Sequence, residues 1–158
     1  MNSTYDVILA GGGAAGLSLA CALAESRWAG LRVLVVDAQT KKGQDRTWCF
    51  WEKGSGPWDG LLSRRWEAMD FFGPGGREIP LDLHPYAYKM LRSADFYAHA
   101  DRVIAQATHV ERHQARIESY TRAENGDVLL HLQPTGTTVQ APLVLASTPL
   151  KGWEEEAR

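Results

Sequence analysis

The apolar positions change rhythm along the chain, and each rhythm predicts an element. Val7, Ile8 and Leu9 form a short unbroken apolar run, the mark of a strand buried on both faces of a parallel sheet. Three glycines follow, Gly11, Gly12 and Gly13. Residues 14–27 are rich in Ala, Leu, Ser and Glu and predict a helix. Leu17, Ala20, Cys21 and Ala24 fall at i, i+3, i+4 and i+7, one face for packing on a sheet. Gly30 closes that unit, and "RVLVVD" predicts a second buried strand ending at Asp37.

Residues 43–60, "GQDRTWCFWEKGSGPWDG", hold three of the six tryptophans, but their glycines, proline and charges predict a loop. Residues 61–69 are polar around Trp66 and read as a short helix or loop. Phe71 and Phe72 run into a Gly-Pro-Gly-Gly turn, and "REIPLDL" predicts a short strand that Pro80 confines to an edge. Tyr86, Tyr88 and Met90 alternate as in a half-buried strand. Ser93 is placed to cap a helix with Asp95 in its first turn and Tyr97, Ala100, Val103, Ile104 and Ala107 on its apolar face. Residues 117–121 and 128–132 predict a hairpin on an Asn125-Gly126 turn. Pro134, Thr135 and Gly136 turn the chain again, and "LVLAS" predicts a buried return strand.

Composition narrows the picture modestly. The 158 residues suffice for one core, and 44% apolar with 23% charged content is globular. Net charge of −2 gives no electrostatic case for nucleic acid. Cys21 and Cys49 suggest neither a disulfide framework nor a zinc site, and a reducing, cytoplasmic setting fits them. No signal peptide, membrane span, repeat or low-complexity segment is read in these residues.

The glycines carry the first candidate chemistry. Gly11, Gly13 and Gly16 fit G-x-G-x-x-G between a strand and a helix. Gly11 makes the tight turn, Gly13 admits a pyrophosphate, and Gly16 lets helix and strand approach. The amides of Gly12, Ala14 and Ala15 belong to the same helix opening, which attracts phosphate. Asp37 lies 21 positions after Gly16, where a carboxylate accepts from a ribose hydroxyl and disfavours NADP. The alternative is a glycine-rich connection with no ligand. For Trp48, Phe50 and Trp51 four readings compete: packing, a protein interface, a membrane surface, or the wall of an apolar ligand pocket.

"DVILAGGGAAGLSLACALAE" followed by "DRTWCFWE" resembles the amino-terminal region of bacterial lycopene β-cyclases. "PYAYKMLRSADFY" and "APLVLASTP" resemble the family's next blocks, in the same order. The returning strand lacks the acidic residue usual there, and family members are much longer. The resemblance implies an α/β fold, a Rossmann-like FAD-binding parallel sheet with a β-meander, incomplete at its carboxy-terminal half. It implies one domain over residues 1–158, with 43–105 contributing a segment that faces the substrate. The expected missing part holds the later flavin contacts, most of the substrate pocket and a glutamate-rich acid–base motif.

The implied reaction is cyclisation of lycopene to β-carotene through a carbocation, with no net electron transfer. Reduced FAD and an NAD(P)H reductant are implied, with lycopene or another linear carotene as partner and peripheral membrane contact following from a bilayer-soluble substrate. Trp48, Phe50 and Trp51 then become an apolar wall with π-faces near positive charge. Arg46 has two readings, an FAD-phosphate contact or a surface pair with Asp45. Asp45 and Glu52 are the nearby carboxylates, most simply solvated. The five histidines show no metal spacing, and Glu154, Glu155 and Glu156 read as a solvated terminus. Two other functions compete: a flavin-dependent oxidoreductase of the hydroxylase or polyprenyl-reductase kind, and a non-catalytic nucleotide-binding fragment.

Overall fold

The computed structural model describes residues 3–28, 30–39 and 43–147. Thr148, Pro149 and the three terminal glutamates lie outside the described residues. The chain folds as two compact units, residues 1–41 with 100–158, and residues 42–99.

The first unit is built on the two apolar runs. Strands β1 (Ser3–Thr4), β2 (Val7–Ala10) and β3 (Val33–Asp37) flank helix α1 (Ala14–Ala24). Every residue of β2 and the first four of β3 are buried, as uninterrupted apolar strands require. The helix stops at Ala24, three residues before the predicted end, and buries Leu23 where Ala24 was expected. The larger side chain removes more apolar surface from water.

Helix α2 (Ser93–Gln106) enters this unit from residue 100 and leads to β9 (Val110–Gln114). The antiparallel strands β10 (Arg116–Arg122), β11 (Val128–Gln133) and β12 (Thr138–Ala141) then form the expected meander, and β13 (Leu143–Ala146) returns. The parallel sheet has the order β13-β2-β3-β9, and the second sheet runs β1-β12-β11-β10. Tyr5, Ile8, Leu34, Val36, Ala115, Leu130, Leu132, Val139 and Ala141 fill one core between them. The expected hairpin forms, β10 against β11, through a loop over 123–127 in which Gly126 alone has positive φ. One expectation needs correction. The return strand is not buried: β13 is an edge strand with β2 as its one neighbour, and Leu143 and Leu145 are exposed.

The second unit contains β4 (Thr47–Lys53), β5 (Arg64–Trp66), β6 (Ala68–Phe72), β7 (Glu78–Asp82), β8 (Tyr86–Arg92) and the first turns of α2. Its three-stranded sheet has the order β4-β8-β5, and β6 pairs β7 as a separate hairpin. The aromatic stretch is therefore a strand, not a loop. Trp48, Phe50 and Glu52 are half-buried while Thr47, Cys49, Trp51 and Lys53 are exposed, a period of two that outweighs the turn residues, which begin only at Gly54. Within residues 61–69, read as a short helix or loop, Arg64–Trp66 form β5 and Ala68 and Met69 open β6. In β8 the alternation holds with opposite parity: Ala87, Lys89 and Leu91 are buried, and the bulky Tyr86, Tyr88 and Met90 face the other way.

Candidate functional site

The glycine turn is shaped by contacts that no side chain would permit. Gly11 has φ +127°, a backbone region that side chains disfavour. A Cβ on Gly16 would stand 2.0 Å from the Gly11 carbonyl oxygen, so the helix can lie this close to the turn only with glycine there. A Cβ on Gly12 would meet the Asp37 carboxylate at 2.8 Å. Gly13 differs: nothing lies within 4 Å of its would-be Cβ, so its bareness serves no protein contact. Gly13 caps α1 without a side-chain hydrogen bond, and its carbonyl accepts the first helical N–H, from Leu17. The amides of Ala14, Ala15 and Gly16 precede that bond and have no intrahelical acceptor. They open the positive end of the helix dipole.

Asp37 is tied to this turn. Gly12 donates its N–H to Asp37 Oδ2 at 2.6 Å, and Gln39 donates its own to Oδ1 at 2.7 Å. The acid that the sequence assigns to a ribose thus also holds the glycine turn. Gly11, Gly12, Gly13, Ala14, Ala15, Gly16 and Asp37 form one constellation in the first unit. It fits a dinucleotide: a cradle at Gly13 that only a Cβ would fill, three helix-opening amides, and a carboxylate at the end of the second strand.

The other candidates lie in the second unit. Arg46 is exposed, and its backbone is fastened by Ser93. Fully buried Ser93 accepts the N–H groups of Asp45 and Arg46 at 3.1 and 3.0 Å and donates its own backbone N–H to the Arg46 carbonyl. The Ser93 hydroxyl also holds the Asp45 carboxyl below its usual range, burial opposing and Tyr97 assisting. Ser93, expected as a helix cap, therefore anchors the segment entering β4.

The three aromatics of β4 part company. Trp48 packs edge-on against Phe96 and Tyr97, ring centres 5.4 and 5.8 Å apart, and Phe50 pairs in register with Lys89. Trp51 projects from the opposite face. It lies opposite Tyr88, which lies opposite Trp66 on β5, so three aromatic rings cross the sheet in one register. Their centres are 4.8 and 5.8 Å apart. A hollow of about 420 Å³ lined by Trp51, Asp82, Leu83 and Tyr86 adjoins this face.

Lys89 was missed in the sequence because the tyrosines beside it set the expected parity. It is fully buried, and its ammonium donates to Glu52 Oε2 at 2.7 Å, Asp59 Oδ1 at 2.6 Å and the Gly54 carbonyl at 3.0 Å. Burial alone would lower it, but the hydrogen bonds and charges of Asp59 and Glu52 win and raise it above an ordinary lysine. The Lys89 hydrogen bond in turn holds the Asp59 carboxyl below the usual range. Glu52, read in the sequence as a solvated carboxylate, is thus committed to a buried cation. Among the described residues no His, Cys, Asp and Glu side chains gather as a metal site, and no helix is long and apolar enough to cross a membrane.

Comparison with known proteins follows this geometry. The family described as lycopene cyclase protein matches residues 6–157. Among solved structures, the chain is similar to p-nitrophenol 4-monooxygenase PnpA from Pseudomonas putida DLL-E4, with TM-score 0.68 and 18% identity over 92% of this chain and 41% of that one. It is similar to a geranylgeranyl bacteriochlorophyll reductase-like protein from Thermoplasma acidophilum, with TM-score 0.62 and 19% identity over 99% and 41%. The flavin-dependent monooxygenase PieE, solved with FAD and substrate, gives TM-score 0.62 and 15% identity over 94% and 31%. The chain therefore spans about two fifths or less of the length of these structures, whose fold it shares. No curated protein sequence matches it.

Proposed function

The chain belongs to the lycopene cyclase protein family, and on that premise we propose that it forms the FAD-binding portion of a lycopene β-cyclase. The observation that carries the cofactor reading is Gly13, bare where no protein atom requires it, at the mouth of a helix whose turn is held by Asp37. The amides of Ala14, Ala15 and Gly16 would hold the diphosphate, Gly11 and Gly12 would shape the approach, and Asp37 would accept from the ribose.

When bound, FAD kept in its reduced form by NAD(P)H would supply negative charge to stabilise a carbocation. The chain's own contribution is an apolar, aromatic surface. Trp51 walls the polyene, and Trp48 and Phe50 brace the strand from behind. Such a surface excludes water and presents π-faces to positive charge. Asp59, kept ionised by Lys89, is no proton donor at neutral pH. The substrate is a linear carotene that partitions into bilayers, which places the working enzyme in peripheral contact with a membrane.

The test is a chimera. This chain replaces the matching segment of an active full-length lycopene cyclase, expressed in a host that accumulates lycopene. β-Carotene in the extracted pigment is expected. A folded, FAD-loaded chimera that leaves lycopene unchanged rejects the reading. Similarity to monooxygenases and to a reductase-like protein favours a second reading, a flavin-dependent oxidoreductase, which predicts stoichiometric NAD(P)H consumption in place of cyclised product.

A further inference from the structure

We propose that Ser147 is a further residue of the dinucleotide site, its hydroxyl donating a hydrogen bond to the diphosphate from the side of the glycine turn opposite Asp37. This rests on the reading of that turn as a cofactor site. It adds a side-chain donor from the return strand, which the glycine motif does not include.

The register of the parallel sheet sets the place. Ala146 pairs with Ala10, and Ala10 pairs with Val36, so the next residues, Ser147, Gly11 and Asp37, stand in one row at the ends of three neighbouring strands. Backbone bonds draw the row together. Ser147 donates its N–H to the Ala10 carbonyl at 3.0 Å, and Gly11 donates to the Val36 carbonyl at 2.9 Å. From β2 the chain crosses through α1 to β3 on one side, while β13 lies on the other. The carboxyl ends of β2 and β13 therefore flank the point where the strand order reverses, the crevice in which open parallel sheets take their ligands.

Gly11 leaves room for the hydroxyl. A Cβ on Gly11 would fall 2.0 Å from Ser147 Oγ, so the turn passes directly against it. The protein itself holds the hydroxyl loosely. Among the described residues its hydrogen bond goes to the Ala10 carbonyl at 3.4 Å, long for an O–H donor, and that oxygen already takes the Ser147 backbone N–H. The hydroxyl proton can rotate to an anion without the side chain leaving its place. The two flanks of the turn are thus unlike. Asp37 offers carboxylate oxygens, which accept from Gly12 and Gln39 and repel a phosphate. Ser147 offers a donor. A diphosphate at this turn is drawn to the Ser147 side, and hydroxyls of a ribose to the Asp37 side.

The experiment is calorimetry on the purified chain with two ligands, FAD and ADP. ADP keeps the diphosphate and lacks the flavin. Ser147→Ala should weaken both by the same factor, about tenfold, as loss of one hydrogen bond to a charged group implies. Ser147→Asp, which puts a negative acceptor where the donor stood, should weaken both further. The ligand-free melting temperature of Ser147→Ala should stay within about 2 °C of the wild type, since the contact it removes is long. A side chain that only propped the turn would lower that temperature.

Unchanged affinity for both ligands in Ser147→Ala overturns the proposal and leaves the cofactor reading standing. A loss confined to FAD also overturns it, because the contact then lies on the flavin side and not on the diphosphate. So does a loss matched by a drop in the ligand-free melting temperature, which makes the role structural. A wild type that takes up neither FAD nor ADP overturns the cofactor reading, and this proposal with it. Equal loss for both ligands at unchanged thermal stability supports it.

Discussion

At the scale of the residue, the glycine motif separates what the fold needs from what a ligand needs. Gly16→Ala places a methyl 2.0 Å from a backbone oxygen that cannot rotate away, so it should lower the melting temperature, by about 5 °C or more. Gly13→Ala meets no protein atom, so thermal stability should be unchanged or slightly higher while FAD uptake, measured by calorimetry, is lost. Unimpaired FAD uptake by the Gly13 variant would remove the cradle from the argument. The two thiols give a second contrast. Burial pushes Cys21 up to about 11, with Glu25 adding to it, while Cys49 is exposed on β4. A colorimetric thiol reagent at neutral pH should therefore titrate Cys49 quickly and Cys21 only after denaturation. Rapid reaction of both would contradict the packing of α1. That Gly11, Gly13, Gly16 and Asp37 meet at one turn was legible because it follows from their spacing between two strands and a helix. Ser93 was legible only as a cap, since nothing local says that its hydroxyl serves residues 47 and 48 positions earlier.

At the scale of the element, the strand pair β4-β8 holds most of what the sequence concealed. Gly54, Gly56 and Pro57 hid the strand before them, and the tyrosines of β8 suggested the wrong buried face, because a period of two fixes alternation but not its phase. Lys89 decides the phase: its ammonium finds three acceptors on one side and none of those on the other. Lys89→Met should lower the melting temperature by roughly 5–10 °C at pH 7, because two carboxylates are left facing each other without their cation. The pH dependence follows from the two shifts. The lowered Asp59 contributes stability that is full above about pH 3.9 and disappears as pH falls through its depressed folded value. The raised Lys89 contributes stability that is full below about pH 10.4 and disappears as pH climbs through its elevated folded value. Thermal melts should show a plateau between those limits, and the deficit of Lys89→Met should shrink on the acid side as Asp59 protonates. A deficit that stays constant from pH 7 to pH 3 would mean that packing, not charge, sets it.

At the scale of the molecule, the order of elements was largely readable: buried strand, glycine turn, helix, buried strand, then a meander and a return. Each follows from local pattern, and the shared fold with flavin-dependent monooxygenases and a reductase-like protein agrees with it. The division into two units was less visible, because the chain leaves the first unit after the second long strand and re-enters it along a single helix, α2, with no composition shift at either crossing. Because the proposed nucleotide site is built from the folded first unit, FAD should stabilise the chain by mass action. At one hundred times its dissociation constant the gain is about 2.7 kcal/mol, a rise of several degrees in melting temperature. No rise at saturating FAD would refute the cofactor assignment.

Lys89 has one more consequence. An amine sealed from water and charged at every ordinary pH is a poor target for acylating reagents, whereas Lys53, exposed on the neighbouring strand, is an easy one. Acylation at Lys89 can proceed only through opening of the second unit. The ratio of modification at the two lysines, read by mass spectrometry, is a built-in clock for that opening, with no probe engineered into the chain.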